Sequence, residues 1–180
     1  MDGIPINRIS VESLRDRISI VSQNSFLFSD SIRNNVRYSA PDATEEDFIN
    51  AVKITGVKKF AERLPLGLDT EIGERGFCLS GGEKQKISIT RAILRKSDIL
   101  FFDEATTHLD ESSILLIGFL IKKMSAEKTC LIISHRAIES LKIDRYYWIE
   151  RGRCNEISKN SSVIFHSNPA RATRESGRCL

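Results

Sequence analysis

The 180-residue chain contains no long apolar run and no recognisable leader sequence. Its longest apolar stretch, "ILLIGFLI" at residues 114–121, is far shorter than the about 20 residues of a membrane-spanning helix. The opening "MDGIPINRIS" lacks the basic and then apolar order of a signal peptide. We therefore expect no membrane span in this chain, although such a chain can still dock at a membrane surface.

The cysteines lack the spacing of a metal site. Cys78, Cys130, Cys154 and Cys179 include no C-x-x-C pair, so the sequence predicts no zinc site. Nothing in their distribution indicates a disulfide framework. We expect reduced thiols, as in cytosolic proteins.

The chain also lacks a strong net charge. The formal charge is +3, which by itself does not indicate a nucleic-acid partner. The imbalance lies in the segment 158–180, which is polar, aperiodic and predicted to be disordered. Its arginines are scattered rather than clustered with aromatic residues, so we expect a solvated tail and no nucleic acid.

What the sequence does contain is short apolar strands alternating with helical patterns. Strands are predicted at 17–22, at "DILFFD" (98–103) and at "TCLIIS" (129–134), and a helix at 111–124. The near-continuous apolar runs are typical of strands buried on both faces of a parallel sheet. The pattern predicts an α/β fold with a mostly parallel sheet, and "RYYWIERGRCNEI" predicts a terminal hairpin with its turn at Arg151 and Gly152.

The stretch "CLSGGEKQKISITRAIL" places a serine and two glycines directly before a helix. A helix begins with unpaired backbone N–H groups and the positive end of its dipole. Gly81 and Gly82 let a phosphate approach those groups, and Ser80 can add a hydroxyl donor. For these three residues alone, an ordinary helix cap explains the pattern equally well.

Polar residues also follow the predicted strands. Asp103 and Glu104 end one strand, where a carboxylate can hold Mg²⁺ and another can act on a water. His135 follows the strand at 129–134, and Gln23 follows the first strand. Ligands bind at the carboxyl ends of strands in open α/β sheets, although each residue alone is compatible with a purely structural role.

The order and spacing of these elements resemble the ATP-binding-cassette (ABC) ATPases. Gln23 is followed by "LSGGE", "ILFFDEA", "HLD" and "SHR", and "DTEIGERGFCLSGG" is similar to the segment before the signature motif in exporter-type members. The resemblance covers residues 2–157. It implies a P-loop NTPase-type α/β fold, a partial ABC ATPase domain at 1–157 and a helical signature subdomain at about 31–95.

The resemblance implies ATP and Mg²⁺ as cofactors and assigns four residues to hydrolysis. Gln23 resembles the Q-loop glutamine, which senses Mg²⁺ and the attacking water. Asp103 is similar to the Walker B magnesium residue, and Glu104 to the catalytic base. His135 resembles the switch histidine.

The resemblance also implies partners. Ser80, Gly81 and Gly82 are similar to the signature motif, which grips the γ-phosphate held by a second nucleotide-binding domain in a head-to-tail dimer. Asp110 resembles the D-loop aspartate of that interface. Residues 26–38 are similar to the face that receives the transmembrane domain of an exporter, which implies the cytoplasmic face of a membrane.

The sequence departs from the family in one major respect. No G-x-x-x-x-G-K-[ST] phosphate loop occurs in it, and the nearest match, Gly76 to Gly81, has Gly82 where lysine is needed. The aromatic residue expected to stack on adenine is also absent. The resemblance therefore implies an N-terminally truncated domain, either part of a longer reading frame or one half of a split domain. Lesser departures are Glu83 for glutamine and the unusual His108.

Two alternatives stay open. A non-hydrolysing, partner-dependent module could offer its signature helix to ATP held elsewhere. An SMC-type ATPase head lobe also combines "LSGGEK" with a Walker B strand and no phosphate loop. In that class the Q-loop lies in the other lobe, beyond a long coiled coil, whereas here Gln23 lies 57 residues before Ser80 (80 − 23) and no heptad pattern occurs.

Overall fold

The computed structural model describes residues 3–74, 78–107, 109–134, 141 and 143–157. Contacts divide the chain into two compact units, which meet in sequence between Ser134 and His135. The predictions for His108, His135 and the disordered tail at 158–180 lie outside the described residues.

The first unit alternates helices and strands as the sequence predicted. The helices are α1 (Val11–Arg17), α2 (Ile32–Arg37), α3 (Glu45–Ile54), α4 (Val57–Ala61), α5 (Gly81–Leu94) and α6 (Glu111–Met124). The strands are β1 (Ile18–Ser22), β2 (Ile99–Asp103) and β3 (Thr129–Ile133). Short 3₁₀ turns occur at Ile6–Arg8 and Gly67–Asp69.

The three strands form one parallel sheet in the order β1-β2-β3, with β2 in the centre. The register aligns Ser22 with Asp103 and Asp103 with Ile133, so the three strands end at one edge. The α/β fold with a parallel sheet is confirmed. The shared register matters for function because residues that follow each strand emerge side by side.

The prediction that these strands are buried on both faces is wrong for the described residues. Val21, Leu100 and Phe102 alternate toward one face and are at most 1% exposed. Ile20 and Leu131, which point to the other face, are 67% and 43% exposed. The apolar runs correctly indicated that both faces of the strands carry apolar side chains. They gave no information on which elements of the fold cover each face.

The chain between β1 and β2 folds into helices that enclose a hydrophobic core. Helices α2, α3, α4 and α5 pack around Phe48, Val52 and Ile87, all of which are wholly buried. Helix α5 also packs against β1. This arrangement fixes the N-terminus of α5 relative to the sheet.

The second unit contains an antiparallel hairpin of β4 (Tyr146–Glu150) and β5 (Arg153–Ile157). Its turn has left-handed backbone at Arg151 (φ 48°) and Gly152 (φ 74°). Two successive left-handed residues match the twist of a tight hairpin. The predicted terminal hairpin and its turn are confirmed.

Candidate functional site

The carboxyl edge of the sheet brings two of the predicted site segments together. Gln23 follows Ser22 at the end of β1, and Asp103 ends β2 opposite Ser22. Glu104 comes next, and its backbone N–H donates to the carbonyl of Ile133 at 2.9 Å. Parallel pairing therefore places the amide and both carboxylates at one edge, as the sequence predicted.

Glu104 is held in an unusual conformation. Its φ of 48° is left-handed, a region that L-residues other than glycine rarely adopt. The Thr107 hydroxyl donates to Glu104 Oε2 at 3.1 Å, and the Thr107 N–H donates to the Glu104 carbonyl at 3.0 Å. Strained backbone of this kind concentrates at functional sites because the surrounding structure must maintain it. The turn thus fixes the position of the carboxylate.

Asp103 and Gln23 are exposed, and no hydrogen bond or ion pair joins either side chain to another described residue. No group of three or more His, Cys, Asp or Glu suited to a metal occurs among the described residues. Mg²⁺ is commonly held by one or two carboxylates together with water and substrate phosphates. The oxygen donors at this edge therefore fit Mg²⁺ that arrives with a phosphate ligand.

Helix α5 begins with a complete capping box. Ser80 Oγ accepts from the Glu83 N–H at 3.3 Å, while Glu83 Oε2 accepts from the Ser80 N–H at 2.9 Å and from Ser80 Oγ at 2.9 Å. Arg63 Nη2 lies 2.8 Å from Glu83 Oε1. The Ser80 hydroxyl is therefore already engaged, and it must leave Glu83 before it can donate to a phosphate. Sequence reasoning recorded Glu83 only as a substitution and missed this contact.

Gly81 and Gly82 occupy different environments, although the sequence analysis gave both glycines the same role. A Cβ on Gly82 would lie 2.9 Å from Ser113 Oγ and 3.6 Å from Asp110 Oδ1. A Cβ on Gly81 would lie 4.0 Å from Leu109 Cδ2, which is ordinary contact. Gly82 thus permits the first turn of α5 to approach the first turn of α6 closely.

We expect Gly82→Ala to lower the free energy of unfolding by about 1–2 kcal/mol, because Ser113 is buried and has little room to move. Gly81→Ala is the matched control. It should be neutral or stabilise by up to ~1 kcal/mol, since alanine favours helix and its Cβ meets no obstacle. Urea unfolding of both variants measures the difference, and equal effects would contradict the close approach at Gly82.

Asp110 is the N-cap of α6. It accepts from the Ser113 N–H at 3.2 Å, from Ser113 Oγ at 2.6 Å and from the Ser112 hydroxyl. These hydrogen bonds, that from Ser112 first, lower the pKa of Asp110 from its ordinary value to about 2. In this structure Asp110, predicted to be the D-loop aspartate, orders the start of α6.

The lowered pKa predicts a specific acid dependence. The folded-state pKa lies below the unfolded value, so Asp110 stabilises the fold fully above the unfolded pKa and progressively less as pH falls through about 2. Asp110→Asn should therefore lose less thermal stability than the wild type between pH 5 and pH 2. The control, Asp42→Asn at an exposed position, should follow the wild-type curve. Identical acid sensitivity in Asp110→Asn would refute the assignment.

Arg91, which sequence reasoning missed, anchors the chain after Gln23. Its guanidinium donates to the Asn35 carbonyl at 2.7 Å, to Asn35 Oδ1 at 2.7 Å and to the Phe26 carbonyl at 2.5 Å. Burial lowers the pKa of Arg91, but an arginine keeps its charge. The basic position inside the apolar pattern of α5 was the available signal. Arg91 thereby joins α5 to Phe26 and to Asn35, which both lie in the 26–38 segment.

The surface of that segment is aromatic. Phe26 and Phe28 meet edge to face, with ring centroids 5.1 Å apart, and Phe28 stacks on Tyr38 at 4.3 Å. Phe26 and Tyr38 are 59% and 61% exposed. Single exposed aromatic residues are ordinary, but a contiguous group is typical of a surface that contacts a partner.

A cavity of about 560 Å³ lies between the loop after β1, the first turns of α5 and the segment after β2. It brings together the predicted site residues Gln23 and Gly81 with Thr107, which lies three residues after Glu104. The remaining lining residues are Asn24, Ser25, Phe26, Lys84, Gln85 and Leu109. The described part of the first unit thus places the loop after β1, the start of α5 and the segment after β2 around one space.

Comparison with known proteins identifies relatives of this chain. The chain is 40% identical over 164 residues to the ATP-dependent lipid A-core flippase of Legionella pneumophila (strain Paris), which covers 91% of this chain and 28% of the flippase. It is 39% identical over 156 residues to the heterocyst differentiation ATP-binding protein HepA of Nostoc sp., covering 87% of this chain and 26% of HepA. The chain thus spans little more than a quarter of these relatives.

A solved structure of a bacterial Atm1-family ABC exporter with ATP bound matches 84% of this chain and 27% of the exporter chain, with a TM-score of 0.78 and 38% identity. No helix in the described part of this chain is long and apolar enough to cross a membrane. The family profile for ABC transporters matches residues 1–107. Since that match spans more than half of the chain, the protein belongs to the ABC transporter family.

Proposed function

We propose that this chain supplies part of the ATP-binding and ATP-hydrolysing site of an ABC exporter and couples hydrolysis to transport. The observation that carries the proposal is the carboxyl edge of the sheet, where Gln23, Asp103 and Glu104 emerge together. Glu104 is the only one of the three whose side chain is fixed by a described hydrogen bond, that from Thr107. An anchored carboxylate beside an unpaired one suits a base next to a metal ligand.

We assign the roles of these residues from the family resemblance, and their positions at the sheet edge are compatible with those roles. Mg²⁺·ATP, when bound, supplies the electrophilic γ-phosphorus and its leaving group. Asp103 and Gln23 would hold the Mg²⁺ through their side-chain oxygens. Glu104 orients the attacking water and accepts its proton at the carboxylate as the water oxygen bonds to phosphorus, and ADP leaves with the electrons of the broken P–O bond. His135, as the switch histidine, belongs to the same proposal.

The signature residues contribute to a second site in this proposal. Ser80 and Gly81 are exposed, and they lie where the dipole and N–H groups of α5 favour an anion. We assign them, with Gly82, to the γ-phosphate held by a second nucleotide-binding domain in a head-to-tail dimer. Asp110, exposed at the start of α6, lies at the same interface.

In this proposal a segment outside the 180 residues supplies the phosphate loop, since no G-x-x-x-x-G-K-[ST] occurs in them. The uncovered sheet face offers a place for the segment that carries it. Ile20, Leu131 and Ile133 are 67%, 43% and 49% exposed there. On helix α6, Leu115 and Phe119 are 59% and 61% exposed. Covering so much apolar surface is favourable in water.

The proposed organisation is a partial ABC ATPase domain at 1–157, with a helical subdomain at about 31–95, followed by a tail at 158–180. The aromatic surface of Phe26, Phe28 and Tyr38 would receive the transmembrane domain. Its position next to Gln23 in sequence lets a transmembrane contact act on the site. This assigns the chain to the cytoplasmic face of a membrane.

A second candidate is a non-hydrolysing module that offers only its signature helix to ATP bound by a partner. The exposed signature residues favour it, as does the lack of a phosphate loop in the sequence. The two candidates differ in whether Glu104 is used.

The deciding experiment measures ATP binding and hydrolysis with Mg²⁺ by the purified chain, alone and fused to a strand–loop–helix segment containing the phosphate-loop motif. The control segment carries methionine in place of the loop lysine. We expect turnover only with the intact segment. Nucleotide binding without turnover would favour the second candidate, and turnover by the chain alone would show that these residues already complete a site.

A further inference from the structure

Gln85 is a buried amide with an incomplete set of partners. It lies one helical turn after Gly81 on α5 and is 3% exposed. Its Oε1 accepts from the Ser25 hydroxyl at 2.9 Å. Its Nε2 has no hydrogen-bond partner among the residues that the structure describes.

Stability alone does not explain this side chain. A buried donor without an acceptor is unfavourable, and each such group in a folded protein requires an explanation. Methionine has a similar length and would fill the same space without an unpaired donor. The polar end of Gln85 therefore serves a purpose other than packing.

The contact with Ser25 connects two motifs that are 60 residues apart. Ser25 is two residues after Gln23, and its hydroxyl also lies 3.4 Å from the Ser22 carbonyl at the end of β1. Gln23, Ser25, Gly81 and Gln85 line the same cavity. Because residues four apart lie on one face of a helix, Gln85 and the signature glycine present the same side of α5 to the loop.

We propose that Gln85 is a positioning residue that couples the Q-loop to the signature helix through Ser25. When the first turns of α5 shift, the bond to Gln85 makes Ser25 move with the helix, and Gln23 moves with Ser25. Without this bond, α5 could move independently of the loop. The unpartnered Nε2 at the cavity wall is the cost of having a polar group in this position. The coupling itself is independent of nucleotide, and only its consequence for hydrolysis rests on the proposed function.

Amide hydrogen exchange of the full 180-residue chain without nucleotide tests the coupling. We expect Ser25→Ala and Gln85→Met each to speed exchange at residues 24–28 about tenfold, the factor for one ordinary hydrogen bond. Because coupling is reciprocal, Ser25→Ala should also speed exchange at residues 83–86 in α5 severalfold. The double variant should not exceed Ser25→Ala, since that variant already removes the bond to Gln85 together with the contact to the Ser22 carbonyl.

The matched control is Thr90→Val on the same helix. Thr90 is wholly buried and its hydroxyl bonds Thr55 at 2.8 Å, away from the cavity lining. This variant should lower the melting temperature but leave residues 24–28 unchanged.

Three results would overturn the proposal: no change at 24–28 in Gln85→Met, independent effects in the double variant, or an effect of Ser25→Ala confined to the loop. If Gln85→Met does not fold, the response of residues 83–86 to Ser25→Ala decides alone. Failure of the proposed ATPase function would appear separately, as absence of turnover in the fused chain.

Discussion

Glu104→Gln should lower ATP turnover at least ~100-fold in the chain that carries a phosphate-loop segment, because a positioned general base contributes a factor of this size or more. Glutamine keeps the shape of the side chain and can still contact Thr107, but it cannot accept the proton of the attacking water. ATP binding should be nearly unchanged, so the loss should appear in kcat rather than in KM.

The control for this result is Glu127→Gln, which removes the same charge at an exposed position after α6. It should retain wild-type turnover. The melting temperatures of the wild type and Glu104→Gln should agree closely, because both residues must adopt the same left-handed backbone (φ 48°). Turnover above a tenth of the wild-type rate in Glu104→Gln would remove the carboxylate from the mechanism.

Arg91→Met should lower the free energy of unfolding by about 3 kcal/mol, the upper end for hydrogen bonds to a charged group and the largest stability effect that we expect for a single side chain outside the core. Its guanidinium satisfies the carbonyls of Phe26 and Asn35 and the Asn35 side chain. Methionine fills much of the same space but cannot donate to the two carbonyls, whereas Asn35 Oδ1 keeps the Phe28 N–H at 2.9 Å. The part-buried Asn35 carbonyl then loses a charged donor, which is costly. Arg91→Lys should recover only part of the loss, because an ammonium cannot reproduce the planar fork.

Urea unfolding of Arg91→Met beside Arg95→Met provides the comparison. Arg95 lies one turn further along α5 and reaches the Arg15 carbonyl and the exposed Asp16 carboxylate. Its replacement should cost less than ~1 kcal/mol, as for surface pairs in general. Similar losses in the two variants would show that Arg91 is a surface arginine like its neighbour and does not anchor the loop.

Much of the local structure could be predicted because it depends on neighbouring residues. The helix predicted at 111–124 is found as Glu111–Met124, since its apolar pattern and the preceding Asp110 define its start locally. The three strands and the hairpin turn at Arg151 and Gly152 follow from short apolar runs and turn residues in the same way. The convergence of Gln23 and Asp103 followed once the strands were taken as parallel.

The contacts that distinguish one motif residue from another could not be predicted. Gly81 and Gly82 are equivalent in the sequence, and only the approach of Ser113 on α6 separates them. The link from Ser25 to Gln85 spans 60 residues, and no local pattern reports such a distance. The prediction that the second face of the sheet is buried was also wrong, because the elements that cover a face are determined by the whole fold.

The sequence by itself therefore determined the elements of this protein, the ends of its strands and its family resemblance, because these depend on propensities and motifs within a few residues. Only the tertiary structure decided which side chains meet. It joined Arg91 to the Phe26 carbonyl, brought Ser113 against Gly82, hydrogen-bonded the Glu104 N–H to the Ile133 carbonyl and left Ile20 and Leu131 exposed. The physical reason is that packing joins residues distant in the chain, and such pairs leave no periodic signal in the sequence.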